Sequence, residues 1–298
     1  MRAEHPKGWI AASKRKKQES AEEGKGKTDD EEGGKTEPYW ERLMDLIQTA
    51  FREGDLEEEA TWQAVVLIPK GEKDYRGIGL AEVMWKVVAA ILNRRLTASI
   101  TYHDFLHGFW AGRGTGTATL KAKLIQHLAA LREEVLYVIF LDLHKAYDAL
   151  DRYRCLEFLE GCGVGPQSCR LLQTYWGRLT MVARAGGYCW GEFKGARGVT
   201  KGYPLSPTIF NVVVDAVVRH WVTMALAGAE KRGERGDEGS HQATLFYADN
   251  GMVASSDPRW LQWAFDSLVS LLGRVVLRTN VGKTVSMVFR PCQAAGTQ

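Results

Sequence analysis

Residues Val135 to Asp142 read VLYVIFLD, seven apolar residues in a row closed by a carboxylate. The run is rich in β-branched and aromatic types and too short for a buried helix. It reads as a central strand covered on both faces. A carboxylate at the end of such a strand is costly to desolvate unless it is paired or bound to a cation. Further along, Leu245–Tyr247 and Met252–Ala254 are two short apolar runs joined by Ala248-Asp249-Asn250-Gly251. Asn-Gly between such runs predicts a hairpin with Asp249 at its tip. If both strands share a sheet, Asp142 and Asp249 lie side by side. Two adjacent carboxylates repel, and a divalent cation relieves the repulsion. Oxygen-only ligands select Mg²⁺ or Mn²⁺, and two such ions together suit in-line phosphoryl displacement. Taken singly, either aspartate also fits a cap or a solvated turn.

Around this pair the pattern is mixed. Trp40, Leu43, Leu46, Ile47 and Phe51 recur at helical spacing, and Ala64–Ile68 followed by Pro69 predicts a strand entering a loop. A long helix is expected over Leu80–Ile100, with Leu80, Met84, Val87, Ile91 and Leu92 on one face, and another over Thr117–Glu134. Helices over Asp151–Gly161 and Pro166–Trp176 precede a hairpin, Thr180–Phe193, turning at Gly186-Gly187. Ser206 and Pro207 read as N-cap and first residue of a long helix. Leu261, Phe265, Leu268 and Leu272 stripe another helix, and Thr284–Phe289 fits a last strand. Strands and helices do not alternate strictly, which predicts α+β rather than a doubly wound sheet.

The bulk numbers set outer bounds. The chain has 298 residues, 45% hydrophobic, enough for two modest subdomains. A net charge of +3 allows nucleic-acid binding without demanding it. Residues 1–37 carry nine Lys/Arg and nine Asp/Glu and few aliphatics, the composition of a disordered tail. Lys14–Lys17 is a basic run within it, either a solvated stretch or a nuclear-import or RNA-touching patch. Cys155, Cys162, Cys169, Cys189 and Cys292 have no zinc spacing and read as reduced thiols, mostly small buried hydrophobes. Together with the polar, basic start, they suggest an intracellular protein, nuclear or cytoplasmic. No membrane association is expected, because the longest apolar stretch, Ile209–Ala229, is broken by Asp215, Arg219 and His220.

Six stretches now carry a resemblance. FLDLHKAYDALDR from Phe140, GVTKGYPLSPTIFN from Gly198, FYADNG from Phe246 and LRTNVGKT from Leu277 resemble, in order, four palm motifs of reverse transcriptases. LIPKGEKDYRGIGL from Leu67 resembles their fingers segment. HGFWAGRGTGTAT from His107 resembles the Gly-Phe-x-x-Gly-Arg segment of non-LTR retrotransposon and group II intron enzymes. The resemblance implies a right-hand polymerase, with fingers over 38–134 and palm over 135–298, and with 152–200 contributing partly to the fingers. It implies an RNA-directed DNA polymerase that transfers deoxynucleotides from dNTPs to a DNA primer on an RNA template, using two Mg²⁺ ions with Mn²⁺ as substitute. Asp142 and Asp249 match the metal ligands, with Asn250 beside them. Lys283 matches the lysine that neutralises leaving pyrophosphate. Lys70 and Arg76 match triphosphate-holding fingers residues, with Lys73 as an assistant. Tyr147 matches the residue that packs under the nucleotide sugar and excludes a 2′-hydroxyl. Lys201, Gly202 and Pro204 match the turn against the template–nucleotide pair. Asp148 matches a recurrent aspartate that also suits a helix cap. A nucleotide cyclase shares a related carboxylate hairpin, but the Gly-Tyr-Pro-Leu-Ser-Pro stretch and the fingers segments argue against it.

The sequence departs from the family pattern at three positions. Asn250 replaces the second hairpin aspartate, Lys201 stands where Gln is usual, and Tyr203 stands where a small or acidic residue is common. Lys201 is expected either to crowd the pocket or to bind phosphate. The chain also stops at Gln298, soon after the fourth palm motif, so a missing thumb is expected. These departures predict a weakened or inactive copy, with a non-catalytic nucleic-acid-binding remnant or a translated pseudogene as the alternative. Asn250-Gly251 also reads as deamidation-prone, which would partly restore the aspartate pair.

Overall fold

The VLYVIFLD run forms the strand it predicts, and its neighbours on both sides are antiparallel. A computed structural model describes residues 37–71, 74–185, 188–231 and 243–291. The tail at 1–36 with its basic run, Lys73, the Gly186-Gly187 turn and Cys292 lie outside the described residues. The chain divides into units 1–45 and 46–298, within helix α1 (Glu37–Glu53).

One four-stranded sheet has the order β6-β7-β3-β8. Its strands are β3 (Leu136–Asp142), β6 (Thr244–Tyr247), β7 (Asn250–Ser255) and β8 (Val285–Phe289). Strand β3 lies between β7 and β8, pairing Asp142 with Asn250 and Phe140 with Val285. Helix α3 (Thr115–Leu131) lays Ala118, Ala122, Ile125 and Ala129 on this sheet against Val138, Leu245, Met252 and Ala254. Helix α8 (Pro258–Arg274) also packs on the sheet, burying Leu261, Ala264, Leu268 and Leu272. Its start is set by Asp257, whose carboxylate accepts from the amides of Arg259 and Trp260.

The second sheet has the order β2-β1-β4-β5, from β1 (Trp62–Pro69), β2 (Tyr75–Ala81), β4 (Thr180–Ala185) and β5 (Tyr188–Phe193). Strands β1 and β4 are parallel, so segments more than a hundred residues apart share one sheet. The helices α2 (Val83–Ser99), α5 (Arg152–Gly161), α6 (Pro166–Arg178) and α7 (Leu205–Lys231) bury most of the remaining apolar surface. There, Trp85 stacks on Tyr175 with centroids 3.6 Å apart.

Three local expectations are corrected. The long helix starts at Val83, not Leu80, because Tyr75–Ala81 is strand β2. Its buried face is Trp85, Val88, Ala89, Leu92 and Leu96 rather than the Met84/Val87/Ile91 stripe. Helix α7 begins at Leu205, so Ser206 sits inside its first turn, where its hydroxyl donates to the Thr200 carbonyl at 2.6 Å. Cys155 and Cys169 are buried as small hydrophobes, burial pushing the Cys155 thiol up to about 12, whereas Cys162 and Cys189 are exposed. Among the described residues, no helix is long and apolar enough to cross a membrane.

Candidate active site

The aspartates converge as their strands dictate. Asp142 ends β3 opposite Asn250, the first residue of β7, and Asp249 precedes it in the turn. The turn is therefore Ala248-Asp249, closed by the Tyr247–Asn250 pair; Asn250-Gly251 is strand rather than turn. Ala248 takes the left-handed conformation, φ 52°, that a two-residue hairpin demands of its first residue and that alanine rarely adopts. The amide of Leu143 donates to the Asp249 carbonyl at 2.9 Å, fastening the turn to the end of β3.

Asp142 is held from the opposite side. Its side chain, 16% exposed, lies 3.5 Å from Lys283 Nζ. Asn280 donates to it twice, from its side chain to Oδ2 at 3.1 Å and from its backbone amide to the carbonyl at 2.7 Å. Asn280 lies in the LRTNVGKT stretch but was not singled out; its distance from Asp142 in the chain hides the contact. Asn250 Nδ2 donates to Asp249 Oδ1 at 3.3 Å, so the amide that replaces a carboxylate serves here as a donor.

Tyr147 follows the loop after Asp142 and stacks on Phe210, centroids 5.0 Å apart. Its hydroxyl is buried without a protein partner, and burial, reinforced by the Asp249 charge, pushes its pKa well above that of a free tyrosine.

This sheet with its paired carboxylates answers to a known family. The family described as reverse transcriptase (RNA-dependent DNA polymerase) matches residues 68–297. The chain belongs to the reverse transcriptase family. The Pol polyprotein of the type-2 retrotransposable element R2DM from Drosophila melanogaster is 28% identical over 260 residues, covering 85% of this chain and 24% of that polyprotein. The Pol polyprotein of the R2 element from Nasonia vitripennis is 29% identical over 216 residues, covering 67% of this chain and 21% of that protein. The chain thus spans about a quarter of the length of these relatives, which agree with the non-LTR expectation. A Candida tropicalis telomerase, solved with a fragment of telomeric RNA, superposes with a TM-score of 0.58 at 15% identity, covering 84% of this chain and 44% of that one. That likeness shows the fold, an α+β arrangement of reverse transcriptase type.

The departures from the reverse transcriptase pattern have definite places. Lys201 does not stand free: its ammonium pairs with Asp148 at 2.5 Å. Asp148 is thus an ion-pair partner rather than a cap. The Lys201 carbonyl accepts from Gly79 of β2 at 3.0 Å, and at Gly202, φ 110°, a Cβ would meet the Gly79 carbonyl at 3.0 Å. Gly202 is glycine because the fingers backbone lies against it. Tyr203 is core, buried with its hydroxyl 3.3 Å from that of Tyr175, and Pro204 is exposed. Lys70 and Arg76 are exposed at the β1–β2 end of the fingers, with no hydrogen bond or ion pair linking them to Asp142 or Asp249.

Reverse transcriptases use divalent metal ions. Among the described residues no cluster of three or more His, Cys, Asp or Glu exists. The two carboxylates on neighbouring backbone segments nevertheless fit a hard cation: Lys283 and Asn280 both engage Asp142 Oδ2, Oδ1 carries no hydrogen bond among the described residues, and rotation of the Asn250 amide presents its oxygen.

Proposed function

We propose that this chain is an RNA-directed DNA polymerase domain that adds deoxynucleotides to a primer 3′-hydroxyl on an RNA template. What supports the reading is the adjacency of Asp142 and Asp249 at the ends of paired strands, within a chain of this family. In this reading Asp142 and Asp249 hold two Mg²⁺ ions, for which Mn²⁺ can substitute. When bound, the ions lower the pKa of the attacking hydroxyl and offset charge on the leaving pyrophosphate. Asn280 fixes the Asp142 carboxylate, leaving its other oxygen for a ligand. Lys283 sits beside it and meets the negative charge of pyrophosphate. Tyr147 lies under the sugar and leaves no room for a 2′-hydroxyl. Lys70 and Arg76 reach the triphosphate from the fingers, where the guanidinium fork suits phosphate oxygens. Lys201, Gly202 and Pro204 form the turn against the nascent pair, with the fingers over 38–134 and the palm over 135–298.

Asn250 weakens this site, because an amide supplies no charge to hold the cations. A non-catalytic nucleic-acid-binding remnant is the second reading, favoured by the Asn250 amide donating to Asp249. Primer extension on an RNA template decides between them. Asn250→Asp is expected to raise the rate by roughly 10- to 100-fold, the scale on which ligand-supporting groups act, and Asp142→Ala to abolish extension in either background. If neither the chain nor Asn250→Asp extends a primer while both bind primer–template, the remnant reading holds.

A further inference from the structure

We propose that residues 104–114 form a clamp that sets the position of Asp249, and that Asn211 is the positioning residue that closes it. The proposal rests on the reading of Asp249 as a metal ligand and names what holds that ligand in place.

Strand β6 is an edge of the palm sheet, so one side of its backbone needs partners. The segment before α3 supplies them. The Phe246 amide donates to the Phe105 carbonyl at 2.7 Å, and the His107 amide donates to the Phe246 carbonyl at 2.8 Å, a short parallel bridge. The next residue, Gly108, lies against the turn itself: a Cβ there would stand 2.6 Å from the Ala248 nitrogen. No side chain fits, so backbone abuts backbone immediately before Asp249. Phe109, also left-handed at φ 52°, stacks its ring on Tyr247 with centroids 6.5 Å apart.

Two anchors hold this segment. Arg113 donates to the carbonyls of Asp104 at 2.8 Å and Leu106 at 3.1 Å and pairs with the Asp104 carboxylate. From α7, Asn211, 1% exposed, donates Nδ2 to the Gly108 carbonyl at 2.8 Å. The Ala248-Asp249 turn is thus gripped from both sides, by Leu143 of the palm and by Gly108 of the clamp. The left-handed Ala248 is a conformation that persists only where surroundings enforce it. Removing the Asn211 amide leaves the Gly108 carbonyl buried without a donor and lets the segment back away from the turn.

The test uses the chain as written and does not need polymerase activity. Hydrogen exchange over 244–250 and over the fingers strand 62–69 is compared with Mn²⁺ affinity, read by electron paramagnetic resonance, in the parent, Asn211→Ala and Arg113→Ala. Asn211→Ala is expected to speed exchange at 244–250, leave 62–69 unchanged and weaken Mn²⁺ binding roughly tenfold, the lower range for residues that orient ligands. Unchanged exchange at 244–250 in a folded Asn211→Ala chain, or an equal rise in both segments, overturns the clamp. Should Asn211→Ala not fold, Arg113→Ala, which leaves α7 intact, decides by the same footprint. If the parent chain binds no Mn²⁺, the metal reading of Asp249 fails, while the exchange pattern still judges the clamp.

Discussion

His107 lies two residues from the Phe105 carbonyl that binds β6, its Nδ1 3.0 Å from the Thr117 hydroxyl and its Nε2 buried without a partner. Burial, and then the charges of Lys121 and Arg113, push its pKa from 6.5 down to about 4; Asp104 opposes them more weakly. The folded chain therefore stays unprotonated where the unfolded chain takes up a proton. The stability this difference supplies is whole above pH 6.5 and drains away as pH falls toward 4. Urea midpoints are expected to drop between pH 7 and pH 5, and His107→Asn, which keeps a polar partner for Thr117 but does not titrate, should flatten that drop. Lys201 teaches a different lesson at the same scale. It is conspicuous as a departure from the family pattern, yet its partner Asp148, which matches a recurrent family aspartate and also suits a cap, lies 53 residues away in sequence. A residue's chemical type is legible in sequence, whereas its counter-charge is a matter of folding.

The hairpin that carries Asp249 turns at residues other than those its sequence suggests. Asn250-Gly251 looks like the turn because those residues tolerate left-handed backbone. The sheet places the turn two residues earlier, at Ala248-Asp249, since the register of β7 on β3 sets Gly251 opposite Leu141. At Gly251 a Cβ would come within 2.7 Å of the Phe246 ring, so the glycine serves packing across the hairpin rather than turning. One consequence concerns deamidation. The Gly251 nitrogen must attack the Asn250 side chain, and in a strand paired on both sides it is not free to do so. Aged protein examined by peptide mapping is expected to keep Asn250 intact, while an unfolded control deamidates; conversion in the folded chain would show the strand opening. Strand β2 was hidden for a related reason. Gly77 and Gly79 interrupt its apolar alternation, and Gly79 has no room for a side chain beside Gln63 and Thr200.

For the whole molecule, the contact between Gly79 and the Lys201-Gly202 turn ties strand β2 to the segment that leads into α7. Gly202→Ala meets two penalties, a left-handed backbone and a Cβ against the Gly79 carbonyl. It is expected to cost about 1–3 kcal/mol of stability, read as a lower urea midpoint. Gly191→Ala, in strand β5 with nothing within 4 Å and no positive φ, is the control and should be close to neutral. A Gly202→Ala chain as stable as the parent would mean that the β2 contact with this turn carries little of the stability.

From the sequence alone came the α+β class, the buried strand ending in Asp142, the hairpin bearing Asp249 and the family resemblance. Each depends on local periodicity or on residues close together in the chain. The tertiary structure decided what the local pattern cannot hold. It turned the Val83 helix to bury Trp85 instead of Met84, joined β1 to β4, gave Lys201 to Asp148 and Asn280 to Asp142, and put Tyr203 in the core. The physical reason is common to all of these. Periodicity reports which side of an element is apolar, but the choice among nearly equal faces and the pairing of distant polar groups are made only when the elements meet, because burial and desolvation act on the assembled surface.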